Sequence, residues 1–241
     1  MRVPKTVNRE GSLARTQGHS VDEYLETIYF LAFPIGEYRP STGSTAIASR
    51  VAEMLGVSRA SAGEMLKRLE ADGLVERGDH KEAILTEAGI ERAKRVVRKH
   101  RIIERFLTDF MGYTAAESHV HADELGDTFT DEMLERINDR LGHPDRCPHG
   151  WPVEPEVEQA ENAVLVTLAD LEAGRPAEIV RLAEHDGDLL HWFYDEGLAP
   201  GTRVEVRVSA DTAADQLTVA VAGSDRAIAG KAALGIYVRA T

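Results

Sequence analysis

The stretch from Thr45 to Leu85 constrains the fold more than any other part of the chain. Thr45–Leu55 carries Ile47, Val51 and Leu55 at helical spacing, and Arg59–Ala71 resumes that spacing with Met65, Leu66 and Leu69. Between them stand Gly56, Val57 and Ser58, with Ala52 four residues before the glycine. A small residue there lets two helices approach, glycine takes the tight turn, and serine caps the second helix. Asp72-Gly73 ends that helix, and Leu74–Arg77, a Gly78-Asp79 turn and Ala83–Thr86 predict a β-hairpin. Helix, turn, capped helix and hairpin in this order predict a winged helix-turn-helix that presents its second helix to a DNA major groove.

Such a module needs positive charge, and the chain as a whole is acidic, with a formal net charge of −13. The charge is unevenly placed. Residues 1–100 hold 16 Lys and Arg against 14 Asp and Glu, whereas residues 101–241 hold 12 against 27. A DNA-binding first part and an acidic remainder with another task is the expectation. Within the recognition helix, Ser58, Arg59, Ala60, Ser61 and Glu64 are expected to face base edges, with Lys67, Arg77 and Lys81 reaching phosphates. The single cysteine, Cys147, excludes an internal disulfide and suits a reducing cytoplasm. No apolar run approaches the roughly 20 residues of a membrane helix, and no secretory signal follows Met1.

The expected organisation is a basic tail over 1–19, the DNA-binding domain over 20–89 and a helical domain over 90–150. An acidic linker over 151–162 and a small β domain over 163–241 follow. Ser20 and Glu23 form a capping-box pattern ahead of Tyr24, Ile28 and Leu31. Ala88–Tyr113 is a long basic helix, and one or two more helices fit 115–141. The β domain is expected to have strands at Val164–Leu168, Glu178–Leu182, Arg203–Val208, Gln216–Val221 and Ile236–Val238, with a short helix at Asp188–Tyr194.

Histidine and carboxylate collect in the helical part. His100 and Glu104 are one helical turn apart, as are His119 and Asp123, with Asp127 a further turn on; Glu23 and Glu26 share a face of the first helix. Imidazole with carboxylate and no thiolate suits Mn2+, Fe2+, Co2+ or Zn2+. Cys147 and His149, in a proline-flanked loop, form either a structural turn or an extra soft-metal site.

These segments resemble the diphtheria toxin repressor and manganese transport regulator family of metal-dependent repressors. The likeness runs from Glu23-Tyr24-Leu25-Glu26-Thr27-Ile28-Tyr29 through the helix-turn-helix to Arg98-Lys99-His100-Arg101-Ile102-Ile103-Glu104 and Asp131-Glu132-Met133-Leu134. It continues into an SH3-like domain through Leu168-Ala169-Asp170-Leu171 and Gly197-Leu198-Ala199-Pro200-Gly201. The resemblance implies a mainly α protein with a small β domain: a winged helix-turn-helix, a helical dimerisation and metal-binding domain, and an SH3-like barrel. It also implies two metal sites per subunit. Glu23, Glu26, Asp123 and Asp127 stand at regulatory positions, and His100, Glu104 and His119 at ancillary ones. Where the family carries a Glu-His pair, this chain has Gly126-Asp127, so Glu124 or His121 could rebuild the regulatory site. Asp186 stands near a carboxylate that some members send from the SH3-like domain.

The expected function is therefore a cytoplasmic, metal-activated repressor, a homodimer on double-stranded operator DNA, with Mn2+ favoured over Fe2+ by its oxygen ligands. A winged-helix regulator without metal sensing is the alternative. A metallohydrolase is a further one, disfavoured because no Ser/His/Asp or Cys/His arrangement and no phosphate-binding glycine loop is present; no enzyme is expected.

Overall fold

The computed structural model describes residues 19–32, 47–78, 83–183, 187–208 and 216–241. The basic tail before His19, Lys81 and Asp186 lie outside them.

The N-terminal unit forms for local reasons. Ser20 and Glu23 close the capping box, with Ser20 N–H donating to Glu23 Oε2 at 2.6 Å and Glu23 N–H to Ser20 Oγ at 3.2 Å. The helix that follows, α1 (Val21–Ala32), buries Tyr24, Leu25, Ile28 and Tyr29. Helix α2 (Ile47–Met54) turns at Gly56, whose φ of +63° is open to glycine without strain, and Val57 N–H donates to Ala52 O at 2.9 Å. Ser58 then caps α3 (Arg59–Ala71) by accepting from Ser61 N–H. Ala62, Leu66 and Leu69 pack inward on the α1 face. The wing is β1 (Val75–Arg77) paired antiparallel with β2 (Ala83–Leu85), Glu76 opposite Ile84.

Helix α4 (Glu87–Asp109) begins at the wing and runs into the second unit, where α5 (Ala115–Leu125) and α6 (Asp131–Leu141) fold back on it. Thr86, Thr114 and Thr130 cap these three helices in turn. The segment 151–162 was expected to be a linker, but it packs tightly. Trp151, Val153, Pro155 and Glu158 are buried, and a turn of 3-10 helix (Pro155–Val157) leads into α7 (Glu158–Asn162).

The C-terminal unit holds β3 (Val166–Thr167), β4 (Pro176–Leu182), β5 (Arg203–Val208), β6 (Gln216–Val221), β7 (Ser224–Ala229) and β8 (Ile236–Ala240). They form one antiparallel sheet in the order β3-β8-β4-β5-β6-β7. Helix α8 (Gly187–Asp195) and the short α9 (Gly230–Ala233) lie against it, and Leu190 and Phe193 of α8 enter its core. Strand β7 was not foreseen. Five of its six residues are exposed at the sheet edge, so the alternation that marks a half-buried strand is missing. Its hairpin turns at Ala222 and Gly223, both at positive φ.

Candidate metal centre and recognition helix

Capping Thr86 and Thr114 fixes the starts of α4 and α5, and their packing brings four side chains to one buried point. Glu104 Oε1 lies 2.9 Å from His100 Nε2, 3.1 Å from His119 Nδ1 and 3.1 Å from His149 Nε2. Glu104 and His149 are fully buried, and His100 is nearly so. A second group meets His100 on its other side: Nδ1 lies 3.2 Å from Asp123 Oδ1 and 3.7 Å from Glu26 Oε1. His100 thus stands between two ligand groups, with one ring nitrogen facing each.

Two of these imidazoles, His100 and His119, and the Glu104 carboxylate shift one another in this buried cluster. Burial opposes charge on His100, yet the Glu104 and Glu26 carboxylates hold its pKa well above 6.5. Burial would raise Glu104, but His149 and His100 hold it well below 4.5. The pKa of Asp123, at the exposed rim, is likewise lowered, with His119 and His100 outweighing the desolvation that would raise it.

The arrangement fits a divalent ion. Among the described residues Glu104 Oε2 is buried with no hydrogen-bond partner, and His149 Nε2 meets Oε1 at 3.1 Å without hydrogen-bond geometry. Polar atoms left this way in a buried site cost about 1–3 kcal/mol each unless something binds them. His100, Glu104 and His119 on one side, and Glu26, His100 and Asp123 on the other, offer ligand atoms within 4.8 Å of one another.

Other expected ligands take different places. Glu23 lines the cleft beside the second group with Glu26, Asp123, Gly126 and Asp127, but its Oε2 closes the α1 capping box. Asp127 is exposed at the rim of that cleft. His121 and Glu124 pair with each other at 3.5 Å and stand apart from both groups, His121 against the Tyr113 ring. Cys147 and His149 part company: the thiol sits in an apolar cluster with Trp151, Leu165 and Val180, and only the imidazole reaches Glu104.

His149 is the residue that sequence reasoning placed least well. Its partners lie far away in the chain, and only its position in a rigid Pro-His-Gly turn marked it. His19 is a second omission, 3.4 Å from Glu23 Oε1.

In the N-terminal unit, the N-cap Ser58 and Arg59, Ala60, Ser61, Glu64 and Lys67 of α3 are all exposed. Arg77 on the wing is exposed and donates through Nε to Glu70 at 3.2 Å. The Ser58 and Ser61 hydroxyls lie 2.9 Å apart.

Comparison with known proteins agrees along most of the chain. Residues 18–83 match the N-terminal DNA binding domain of the iron dependent repressors. Residues 86–155 match their metal binding and dimerisation domain, and residues 166–240 a FeoA domain. The iron-dependent repressor IdeR of Mycobacterium tuberculosis is 33% identical over 202 residues, covering 79% of this chain and 84% of its own. A manganese-dependent transcriptional repressor in complex with manganese superposes with a TM-score of 0.78 at 27% identity, covering 92% of this chain and all of that one. IdeR of T. acidophilum superposes at 0.74 with 25% identity, over 93% of this chain and 100% of its own. The chain belongs to the diphtheria toxin repressor and IdeR family of metal-dependent, DNA-binding transcriptional repressors.

Proposed function

We propose that the protein is a cytoplasmic repressor of metal-uptake genes. In this reading Mn2+ activates it, with Fe2+ as the alternative ion, through two sites per subunit, and it binds operator DNA as a homodimer. One observation carries this reading: His100 stands between two ligand groups drawn from the DNA-binding unit (α1) and the dimerisation unit (α4 and α5). A bound divalent cation supplies the positive charge that lets Glu26 and Asp123 approach. Glu26 and Glu23 then tie α1 to α4 and α5, and α1 carries α2 and α3 with it through Leu25, Ile28 and Leu66. Fixing α1 fixes the angle at which α3 is offered to the groove, a shift between pre-existing arrangements. Oxygen ligands at Glu23, Glu26, Asp123 and Asp127 favour Mn2+ in the regulatory group, and His100, Glu104, His119 and His149 form the ancillary one.

Dimerisation is supported by exposed apolar residues beyond α4 and on α6. Phe110 and Met111 are each 58% exposed and Met133 is 45% exposed, beside the partly buried Phe106, Phe129 and Ile137. Met133→Asp is expected to shift sedimentation toward monomer while leaving helix content intact.

Operator sites selected from random-sequence DNA, then titrated with and without Mn2+ beside a hydrolase screen, test the reading. Metal-independent binding would favour a regulator without metal sensing, and turnover would favour an enzyme. Lys67→Ala is expected to weaken binding to all sequences and lower the salt slope by about one. Ser61→Ala is expected to alter base preference by about 1 kcal/mol or less.

Protons and metal compete for the buried group. His100, with its raised pKa, stabilises the metal-free fold below about 6.5, and that contribution is lost as pH rises through its folded value. Glu104, with its lowered pKa, contributes above about 4.5 and loses this as pH falls through its folded value. The metal-free cluster therefore contributes most between those limits. The rise in Tm on adding Mn2+ is accordingly expected to be larger at about pH 8 than at about pH 6, read by thermal unfolding.

Gly126 offers a gain-of-function test. It has helical backbone angles, and a Cβ built there meets nothing nearer than 3.6 Å. Gly126→Glu would add a carboxylate to the same cleft, and Mn2+ affinity is expected to rise about tenfold, measured by calorimetric titration.

A further inference from the structure

We propose that Tyr194, on α8 of the C-terminal domain, is a positioning residue for the ancillary metal group and acts through His149. The proposal rests on the reading of His100, Glu104, His119 and His149 as a metal site.

The backbone at His149 is hydrogen-bonded to the C-terminal domain, while Arg101 of α4 holds the end of the same loop at Pro152 O. Leu182 N–H, at the end of β4, donates to His149 O at 3.0 Å, and Trp151 Nε1–H donates to Leu182 O at 2.7 Å. Gly150 has φ of +88°, and a Cβ there would stand 1.9 Å from Val180 O, so the loop backbone lies directly on β4. The backbone of residue 149 is thus held by one domain while its ring enters the site of another.

The ring is held at both ends. Tyr194 Oη donates to Pro148 O at 3.0 Å and lies 3.2 Å from His149 Nδ1. A phenol has one proton. With that proton directed to Pro148 O, the hydroxyl can only accept from the ring, so Nδ1 carries the hydrogen and Nε2 carries the lone pair. Nε2 then faces Glu104 Oε1 at 3.1 Å, in a fully buried position, without hydrogen-bond geometry. A lone pair held that close to a carboxylate oxygen is repelled unless a cation, metal ion or proton, lies against both. An imidazole whose far nitrogen is fixed by an outer hydrogen bond is the usual form of a metal-ligating histidine.

Two consequences follow. The C-terminal domain raises metal affinity through a hydrogen bond to a ligand. By reciprocity, metal at this site tightens the docking of that domain on the ligand helix, where a Cβ built on Gly187 at the start of α8 would stand 3.7 Å from Val120 Cγ2 of α5.

The test uses the full chain and Mn2+. Tyr194→Phe keeps the ring and removes the hydroxyl. It is expected to weaken one Mn2+ equivalent by about tenfold or more in calorimetric titration and leave the other unchanged. It is also expected to abolish the Mn2+-dependent gain in hydrogen-exchange protection over 147–151 and α8. His149→Ala serves as the reference. If His149→Ala binds both equivalents as the wild type does, His149 is not a ligand and the underlying site reading fails. If His149→Ala loses an equivalent while Tyr194→Phe binds and protects like wild type, the role given to Tyr194 is overturned. The wild-type protein loaded with Cd2+ gives a reading independent of any variant's folding. Ring 15N shifts of His149 should report hydrogen on Nδ1 and metal on Nε2, and the opposite tautomer overturns the proposal.

Discussion

Asp123→Ala is expected to abolish the response of operator binding to Mn2+. Asp123 is the α5 carboxylate that meets His100 Nδ1, at 3.2 Å, from the side opposite Glu104. Its removal deletes a ligand and part of the negative charge that offsets the cation, and leaves Glu26 and His100 facing an open rim. Affinity for operator at saturating Mn2+ should fall to the metal-free value, a loss on the order of the 5–150-fold that couples effector and ligand sites. The fold should change little. Asp123 is 43% exposed, and ion pairs at such positions contribute about 1 kcal/mol or less. His119→Ala should differ, removing one equivalent and blunting the response without ending it, because Glu26, His100 and Asp123 remain. Calorimetric titration beside operator binding at fixed Mn2+ separates the two variants. A full response in Asp123→Ala would place the regulatory site elsewhere in the cleft.

How far the site could be read from the sequence follows from the range of the interactions that build it. The turn at Gly56, the cap at Ser58 and the capping box at Ser20 and Glu23 are satisfied within a few residues, and all three were legible. Helical spacing aligned His100 with Glu104 and His119 with Asp123, because one turn of helix sets their separation. That His100 would turn one nitrogen to each group depends on how α1, α4 and α5 cross, which no local pattern encodes. Glu23 shows the reverse case. The capping-box signal and the ligand position name the same side chain, and the structure gives one of its oxygens to the cap. The segment 151–162 was misread for an electrostatic reason. Its acidic, proline-containing composition suggests a solvated connector, whereas Glu158 meets Arg101, and Glu161 meets both Arg146 and Arg181. Those arginines come from α4, the 143–150 loop and β4, so the charge balance closes only in three dimensions.

Trp151 is the centre of that closure, and Trp151→Ala is expected to be the most destabilising single change outside the metal groups. The indole is fully buried, and two guanidinium groups lie over it, Arg181 at 4.6 Å and Arg101 at 5.5 Å from a ring centroid. Each arginine is tied down on its far side. Arg101 donates to Pro152 O at 2.7 Å and to Glu158, and Arg181 donates to Asn162 Oδ1 at 2.8 Å and to Glu161. Truncation would open a cavity, leave Leu182 O without its indole donor, and remove the π face over which two buried cations lie. Burial alone puts Trp→Ala at about 3–5 kcal/mol, and the lost cation–π contacts add to it. Because the stack joins α4, α7 and β4, the change should also alter how the molecule unfolds. Urea unfolding followed by one probe of the helices and one of the C-terminal domain should give one shared transition in the wild type and two separate ones in the variant. The residual Trp192 and the far-ultraviolet helix signal supply those probes. A cost below about 1 kcal/mol, or an unchanged single transition, would show that the domains are joined by the sheet and α8 contacts alone.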